Sequence, residues 1–309
     1  MLLVLVFMQI PNLALSNQAI TQAPTLDNLP RLIALEPTGV HQAATQPHNS
    51  PTIRPQASRA PTKIGGSSTP TPLNLSNGQQ PEIIGYSGEG RALNVYTFGN
   101  GKQERMIVAG IHGGDEWNTV TLANQLIKYL DQSPNDIPDD ITLYILPNLN
   151  PDGEARAHNK YGRVNHNGVD LNRNFPVNWQ KDWDRAGCWN SLPTTGGTGP
   201  GSERETQALM SFLGGHKIQA LISYHSAALG IFPGGLPWDE NSIRLAQSIA
   251  NVSTYPFPPI DTGCVYSGTL ADYAVSNGIA AVDLELTDHF DTDFDQNLDI
   301  LDVLLKFVP

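Results

Sequence analysis

The segment MIVAGIHGGDEW, residues 106–117, decides the fold. Its first half is an apolar run containing β-branched residues, which predicts a buried strand. A helical pattern, NTVTLANQLIKYL, follows at residues 118–130. A strand that leads into a helix is the repeating unit of an α/β protein. The turn between them holds a histidine and two adjacent carboxylates, His112, Asp115 and Glu116.

The same alternation continues along the chain. Further apolar runs predict strands at residues 141–147, 218–225 and 279–286, and helical patterns lie at 203–213, 242–252, 268–276 and 294–307. Apolar strands separated by helices predict a largely parallel sheet with helices on both faces. Ligands bind such sheets beyond the carboxyl ends of the strands.

Length and charge limit the class of protein. The 309 residues, 39% of them hydrophobic, allow one large folded domain or two small ones. The net charge of -12 argues against nucleic acid or an anionic membrane as the main partner, because both would repel the chain. Small or peptidic substrates remain open.

The N-terminal part differs in composition from the rest. Residues 1–16 are apolar, too short for a membrane-spanning helix, and fit a secretory signal peptide, although the usual preceding basic residues are absent. We predict export without a transmembrane span, the alternative being a mis-assigned start or a frayed apolar end. Residues 17–80 hold nine prolines and no aromatic residue, which predicts a disordered linker before a catalytic domain at 81–309.

The chain has two cysteines, Cys188 and Cys264. Two are too few for a disulfide scaffold or a cysteine zinc site. In an exported protein we expect them to form an intrachain disulfide, and the alternative is two buried free thiols.

Polar residues recur at the ends of the predicted strands. His112 and Glu116 follow one strand, His225 ends another, and Glu285 lies near the end of a fourth. We expect these residues to converge at one edge of the sheet. Two imidazoles and a carboxylate are the ligands of a catalytic zinc that keeps a position for water. Taken alone, each residue is more often a hydrogen-bonded structural residue than a metal ligand.

Further motifs occur in a fixed order: LPNLNPDG at 146–153, GRVNHNGVDLNRNFP at 162–176, SERET at 202–206, SYHS at 223–226 and DLEL at 283–286. The series resembles the zinc carboxypeptidase family, the M14 metallopeptidases, in a bacterial-type member, over residues 81–309. The segment IGYSGEGRALNVYTFG, 84–99, is similar to that family's N-terminal strand pair. The resemblance implies a mixed, largely parallel eight-stranded sheet with helices on both faces, and one zinc ion per chain.

The first family motif is His, two residues, then Glu, and this chain departs from it. Asp115 follows His112 after three places and Glu116 after four. We assign Glu116 as ligand, because Trp117 follows it as in the family, and because the glycine pair before Asp115 can absorb an added residue. The resemblance makes His225, in SYHS, the third ligand.

The other motifs imply catalytic and substrate-binding roles. Glu285 matches the general base that takes a proton from metal-activated water. Arg163 matches the arginine that polarises the scissile carbonyl. Asn172 and Arg173 match the pair that binds the terminal carboxylate of a substrate, which indicates an exopeptidase. Asp170 is expected to order its loop rather than to bind substrate.

The substrate pocket departs from the family pattern. The family's capping tyrosine lies eight residues before the aspartate that is Asp272 here, and that position holds Cys264. Tyr266 is the candidate to replace it. The residue before the aspartate usually forms the base of the side-chain pocket, and here Ala271 provides no counter-ion for a basic side chain.

The sequence thus predicts an exported zinc metallocarboxypeptidase acting on peptides with a free C-terminal carboxylate, with cell-wall peptides as candidate substrates. One alternative is a zinc amidase or deacylase on small N-acyl amino acids, whose substrates also end in a carboxylate. The other is a catalytically silent peptide-binding module.

Overall fold

The computed structural model describes residues 72–227 and 229–309. The predicted signal peptide and most of the predicted linker lie outside these residues. No helix of the described part is long and apolar enough to cross a membrane.

The centre of the domain is a mixed sheet. Its strands are β1 (Glu82–Tyr86), β2 (Ala92–Gly99), β3 (Gln103–Val108), β4 (Ile141–Leu146), β5 (Ile218–Ser226), β6 (Ile231–Pro233) and β7 (Ala280–Leu286). They lie in the order β1-β2-β4-β3-β5-β7-β6. The pairs β4–β3, β3–β5 and β5–β7 are parallel, and the outer pairs are antiparallel.

The predicted fold class is confirmed, with a difference in strand number. The sheet has seven strands in the described residues, where eight were expected. Outside the named strands, Val169 and Thr195 form an isolated parallel bridge that does not extend into a ladder.

The helices are α1 (Trp117–Gln132), α2 (Pro151–Arg156), α3 (Arg204–Gly215), α4 (Glu240–Ala250), α5 (Leu270–Ser276) and α6 (Phe294–Lys306). All but α2 coincide with predicted helical patterns. The helix α2 is too short to show a period. It begins with a proline, and the Asn150 side chain accepts a hydrogen bond from Gly153 N at its start.

The alternation of side chains along each strand builds a core on both faces of the sheet. On β3, Ile107 packs into a cluster with apolar residues of α1, α4 and α6. Its neighbours Met106 and Val108 pack into a second cluster with residues of α3 and α5. All three side chains are fully buried, as expected of a central parallel strand.

The N-terminal boundary of the domain lies earlier than predicted. Leu75 is buried in the core cluster, and Ser76 N donates to the Asp131 carboxylate of α1 at 2.9 Å. Leu73 N donates to the Tyr96 hydroxyl at 2.7 Å. Residues 72–80 therefore belong to the folded domain. The composition of residues 72–80 does not show that they belong to the domain, because only a few contacts, such as the burial of Leu75, hold them to it.

Candidate metal centre and active site

Three buried side chains with metal-binding atoms meet at the carboxyl ends of β3 and β5. His112 Nδ1 lies 2.7 Å from Glu116 Oε1. His225 Nδ1 lies 3.2 Å from both His112 Nδ1 and Glu116 Oε2. The ligand atoms of the three residues lie within 4.8 Å of one another. Two imidazoles and one carboxylate form the donor set of a catalytic zinc, so these residues fit that ion.

The turn after β3 places Glu116, and not Asp115, in this group. The segment Gly113–Glu116 forms a 3-10 helix whose first residue has a φ of +49°, a conformation that favours glycine. A Cβ on Gly114 would overlap a backbone oxygen of the segment after α2, so the turn needs this glycine too. Asp115 lies instead beside Arg163, with its Oδ2 3.7 Å from Nη1.

Asp170 connects the metal group to the neighbouring arginine. Its Oδ1 lies 3.1 Å from His112 Nε2, and its Oδ2 accepts a hydrogen bond from Arg163 Nε at 3.0 Å. Asp170 also caps its own short helix by accepting from Asn172 N at 3.0 Å. It orders its loop, as expected, and in addition it contacts the ring of the candidate metal ligand His112.

The two arginines of the site differ in their partners. Arg163 has three carboxylate neighbours, at 3.0 to 3.7 Å. Arg173 is equally buried but forms no ion pair within the described part of the chain, and its Nε has no hydrogen-bond partner there. Its Nη1 donates to Asn172 O at 2.7 Å. The carbon of its guanidinium lies 5.5 Å from the centre of the Trp183 ring and 5.3 Å from the centre of the Tyr266 ring. A buried, unpaired guanidinium is suited to bind an anion from outside.

Glu285 lies beside the metal group on the next strand. It is in register with His225 in the parallel β5–β7 pair, so both side chains point to the same face. Its Oε2 is buried and has no hydrogen-bond partner among the described residues. The structure thus brings the sequence-predicted site residues together at one edge of the sheet.

Comparison with known proteins decides the family. The family model for zinc carboxypeptidases matches residues 76–295. The chain belongs to the zinc carboxypeptidase family. The predicted cofactor, one zinc ion per chain, agrees with this family and with the donor group formed by His112, Glu116 and His225.

Relatives in the family include peptidases and amidases. The chain is 34% identical to murein peptide amidase A of Escherichia coli K12 over 40% of this chain and 49% of that protein. It is 28% identical to human mast cell carboxypeptidase A over 63% of this chain and 54% of that protein. The matches thus span about half the length of these relatives.

A solved structure shows the shared fold. The crystal structure of the murein-tripeptide amidase from Escherichia coli O157 has a TM-score of 0.54 and 24% sequence identity. The superposition covers 74% of this chain and 93% of that one.

The charges of this zinc carboxypeptidase site keep the carboxylates of Glu116 and Asp170 ionised. Burial by itself raises the pKa of Glu116, but His112 and His225 hold that pKa well below its usual range. Burial likewise raises the pKa of Asp170, and Arg163 and His112 more than reverse the effect. Deprotonated carboxylates are the form that binds a metal or orients its ligands.

The opposite holds for Glu285. Burial, followed by repulsion from the charge of Glu116, raises the pKa of Glu285 to about 8. A positive charge at the metal group would offset part of this rise. A carboxyl group whose pKa lies near the pH at which the enzyme acts both accepts and returns a proton efficiently.

A loop before α3 covers the arginines of this family member. The Arg163 guanidinium carbon lies 4.6 Å from the centre of the Trp189 ring, and Trp183 packs on Arg173 from the same loop. A disulfide joins Cys188 of this loop to Cys264, as predicted. Cys264 lies two residues before Tyr266, so the disulfide links the two segments that pack on Arg173.

Sequence reasoning did not assign Trp183, Trp189 or Asp283 to the site. The two tryptophans lie in a polar loop without periodicity, and their only signal is an aromatic residue where none is needed for a core. Asp283 stands in the motif DLEL, where its signal is a second charge, beside Glu285, in a mostly apolar strand.

Proposed function

We propose that the protein is an exported, zinc-dependent carboxypeptidase that hydrolyses the last peptide bond of its substrates. The observation that carries this proposal is the buried, unpaired guanidinium of Arg173 beside the metal group and Glu285. A terminal carboxylate of a substrate would satisfy that guanidinium with two parallel hydrogen bonds.

In this proposal each residue acts on a different part of the substrate. Arg173 and Asn172 bind the terminal carboxylate and set the position of the last peptide bond. Arg163 donates hydrogen bonds to the scissile carbonyl oxygen and stabilises the charge that develops there. Glu285 Oε2 accepts a proton from the attacking water and delivers it to the leaving nitrogen.

The metal ligands complete the site. His112, Glu116 and His225 would hold the zinc ion, which when bound acts as a Lewis acid and lowers the pKa of water. Tyr266, beside Arg173, would cover the bound C-terminal residue. The Cys188–Cys264 disulfide supports export, because disulfides persist in oxidising compartments.

A second candidate is an amidase on cell-wall peptides. It is favoured by the 34% identity to a murein peptide amidase. Asn172 and Arg173 do not separate the two activities, because both substrates end in a carboxylate. A silent binding module is disfavoured, because Glu285 and Arg163 stand beside a full set of metal-binding side chains.

The experiment is mass spectrometry of the products that the zinc-loaded protein forms from a mixture of linear peptides and peptidoglycan stem peptides. Stepwise loss of single C-terminal residues, abolished by a zinc chelator, is expected for a carboxypeptidase. Cleavage of stem peptides alone, at an amide outside the linear main chain, would favour the amidase. Cleavage of internal bonds in linear peptides would exclude both.

A further inference from the structure

Two segments without helix or strand pack on the buried guanidinium of Arg173. The first, which we call the tryptophan loop, spans residues 183–189 and contributes Trp183. The second, the tyrosine segment, spans residues 262–268 and contributes Tyr266. Because no ladder of backbone hydrogen bonds orders such segments, their positions depend on a few individual contacts.

The tyrosine segment is held on both sides of its tyrosine. On one side, Gly268 forms two backbone hydrogen bonds, each of 3.0 Å, with the residues that follow Arg173. On the other side, Cys264 is joined to Cys188 of the tryptophan loop by the disulfide. Tyr266 lies midway between these two attachments. Breaking the disulfide would therefore leave the tyrosine held from one side only.

Little besides the disulfide supports the contact between the two segments at this point. Gly187 has a φ of +72°, and a Cβ there would overlap Thr262 O, so the two backbones come very close. Gly187 and Gly263 are nevertheless exposed, so little apolar surface is buried between them. Cys188 and Cys264 are half-buried, which leaves the bond within reach of a small reductant.

The two arginines of the site depend on the disulfide to different degrees. Trp189, next to Cys188, packs on Arg163 at 4.6 Å, but Arg163 also has three carboxylate neighbours that belong to neither segment. Arg173 forms no ion pair within the described part of the chain, and both rings that pack on it come from the joined segments. Loss of the disulfide should therefore disturb Arg173 more than Arg163.

The metal group is held by other contacts. Its three residues, His112, Glu116 and His225, contact one another at 2.7 to 3.2 Å. Asp170 contacts His112, and Ser226 N donates to Glu116 Oε2 at 3.2 Å. None of these partners belongs to the tryptophan loop or the tyrosine segment. Zinc binding should therefore not depend on the disulfide.

We propose that the Cys188–Cys264 disulfide positions the substrate-binding residues, and that its reduction converts the protein to a form that binds substrate weakly. A dithiol supplies two electrons and two protons, the S–S bond breaks to give two thiols, and the dithiol becomes a disulfide. The freed segments must then be ordered when substrate binds, which lowers affinity. The protein thus binds weakly where thiols stay reduced and gains full affinity where disulfides persist. The inference rests on the proposed carboxypeptidase function for the identity of the substrate.

The test measures kcat and KM of the zinc-loaded protein for a peptide with a free C-terminus, before and after reduction. The reductant is a phosphine, which is oxidised to its oxide and has no thiol that binds zinc. Reduction should raise KM at least about tenfold and lower kcat less than about threefold, because Arg173 is disturbed more than Arg163. Zinc content and far-UV circular dichroism should stay unchanged. An unchanged KM, or a loss of zinc on reduction, would overturn the inference.

The matched control uses the fact that the chain has only two cysteines. The double variant Cys188→Ser, Cys264→Ser should have the raised KM without any reductant and should not respond to one. Each single variant should have the same KM as the double variant, because each breaks the same bond. A wild-type KM in either single variant would show that the bond is not the cause.

A binding measurement separates this inference from the proposed function. Calorimetry with zinc-loaded Glu285→Gln and the same peptide reports binding without cleavage, and reduction should raise Kd at least about tenfold. Weaker binding on reduction, in a protein whose wild type cleaves no peptide, would support the inference and refute the carboxypeptidase. Peptide cleavage with KM and Kd unaffected by reduction would refute the inference alone. A lower thermal midpoint with unchanged KM and Kd would also overturn it, because the disulfide would then only stabilise the fold.

Discussion

Arg173→Met isolates the contribution of the unpaired guanidinium. Methionine keeps an apolar side chain beside Trp183 and Tyr266 but removes the charge. Of the five N–H groups of Arg173, one is used by Asn172 O, so the others can form two parallel bonds to a carboxylate. Each charge-assisted bond is worth about 1.5–3 kcal/mol. The loss of two predicts a fall of roughly 10² to 10⁴ in kcat/KM.

The assay measures kcat/KM for matched peptides with a free or an amidated C-terminus. The wild type should strongly prefer the free carboxylate, and Arg173→Met should cut both peptides at similar low rates. Arg173→Lys should recover only part of the preference, because an ammonium group cannot make two parallel bonds. The thermal midpoint of Arg173→Met should not fall, since a buried charge without an ion-pair partner is removed. Equal cleavage of free and amidated peptides by the wild type would refute the carboxylate-binding role.

Three further predictions concern the metal, the base and the domain boundary. Glu116→Ala should lose zinc and Asp115→Ala should keep it when metal content is measured, and the reverse would make Asp115 the ligand. Glu285→Gln should lower kcat by at least about 100-fold with zinc retained, and a smaller loss would exclude it as the base. In the wild type, kcat/KM should fall with decreasing pH from about 8 or below, because protonated Glu285 cannot accept a proton, and a flat acidic profile would contradict this. A chain starting at residue 81 should unfold at a lower temperature than one starting at 72, because burial of Leu75 contributes about 1.5–3 kcal/mol, and equal midpoints would show that 72–80 adds nothing.

The elements that carry the site could be predicted from the sequence because their signals are local. The apolar run before His112 and the helical period after it fixed a strand and a helix within a few residues of those observed. Parallel strands end at a common edge, so His225 and Glu285 were expected beside His112. The roles of Arg163, Asn172 and Arg173 were predicted from the resemblance of their motifs to those of the zinc carboxypeptidase family.

The parts that were missed depend on contacts between distant segments. Asp170 and His112 are 58 residues apart, and no local sequence pattern predicts their contact. Trp183 reaches Arg173 from a loop without periodicity. Asp283 was missed because the pattern of β7 indicates burial and does not show that this carboxylate contacts Asn172 and His225. The three-residue strand β6 is too short to show alternation.

The contacts of Asp170 have a consequence for how this site can be dissected. One carboxylate holds both His112 and Arg163, and it starts the short helix that presents Asn172. A substitution at His112, Arg163 or Asp170 removes one contact of the Asp170 carboxylate. The remaining contacts of that carboxylate then change as well. Double-mutant cycles among them should therefore show coupling energies of about 0.5–3 kcal/mol rather than additive effects. Metal affinity depends on His112, and transition-state stabilisation depends on Arg163. Because Asp170 contacts both, a substitution of Asp170 is expected to change both quantities together.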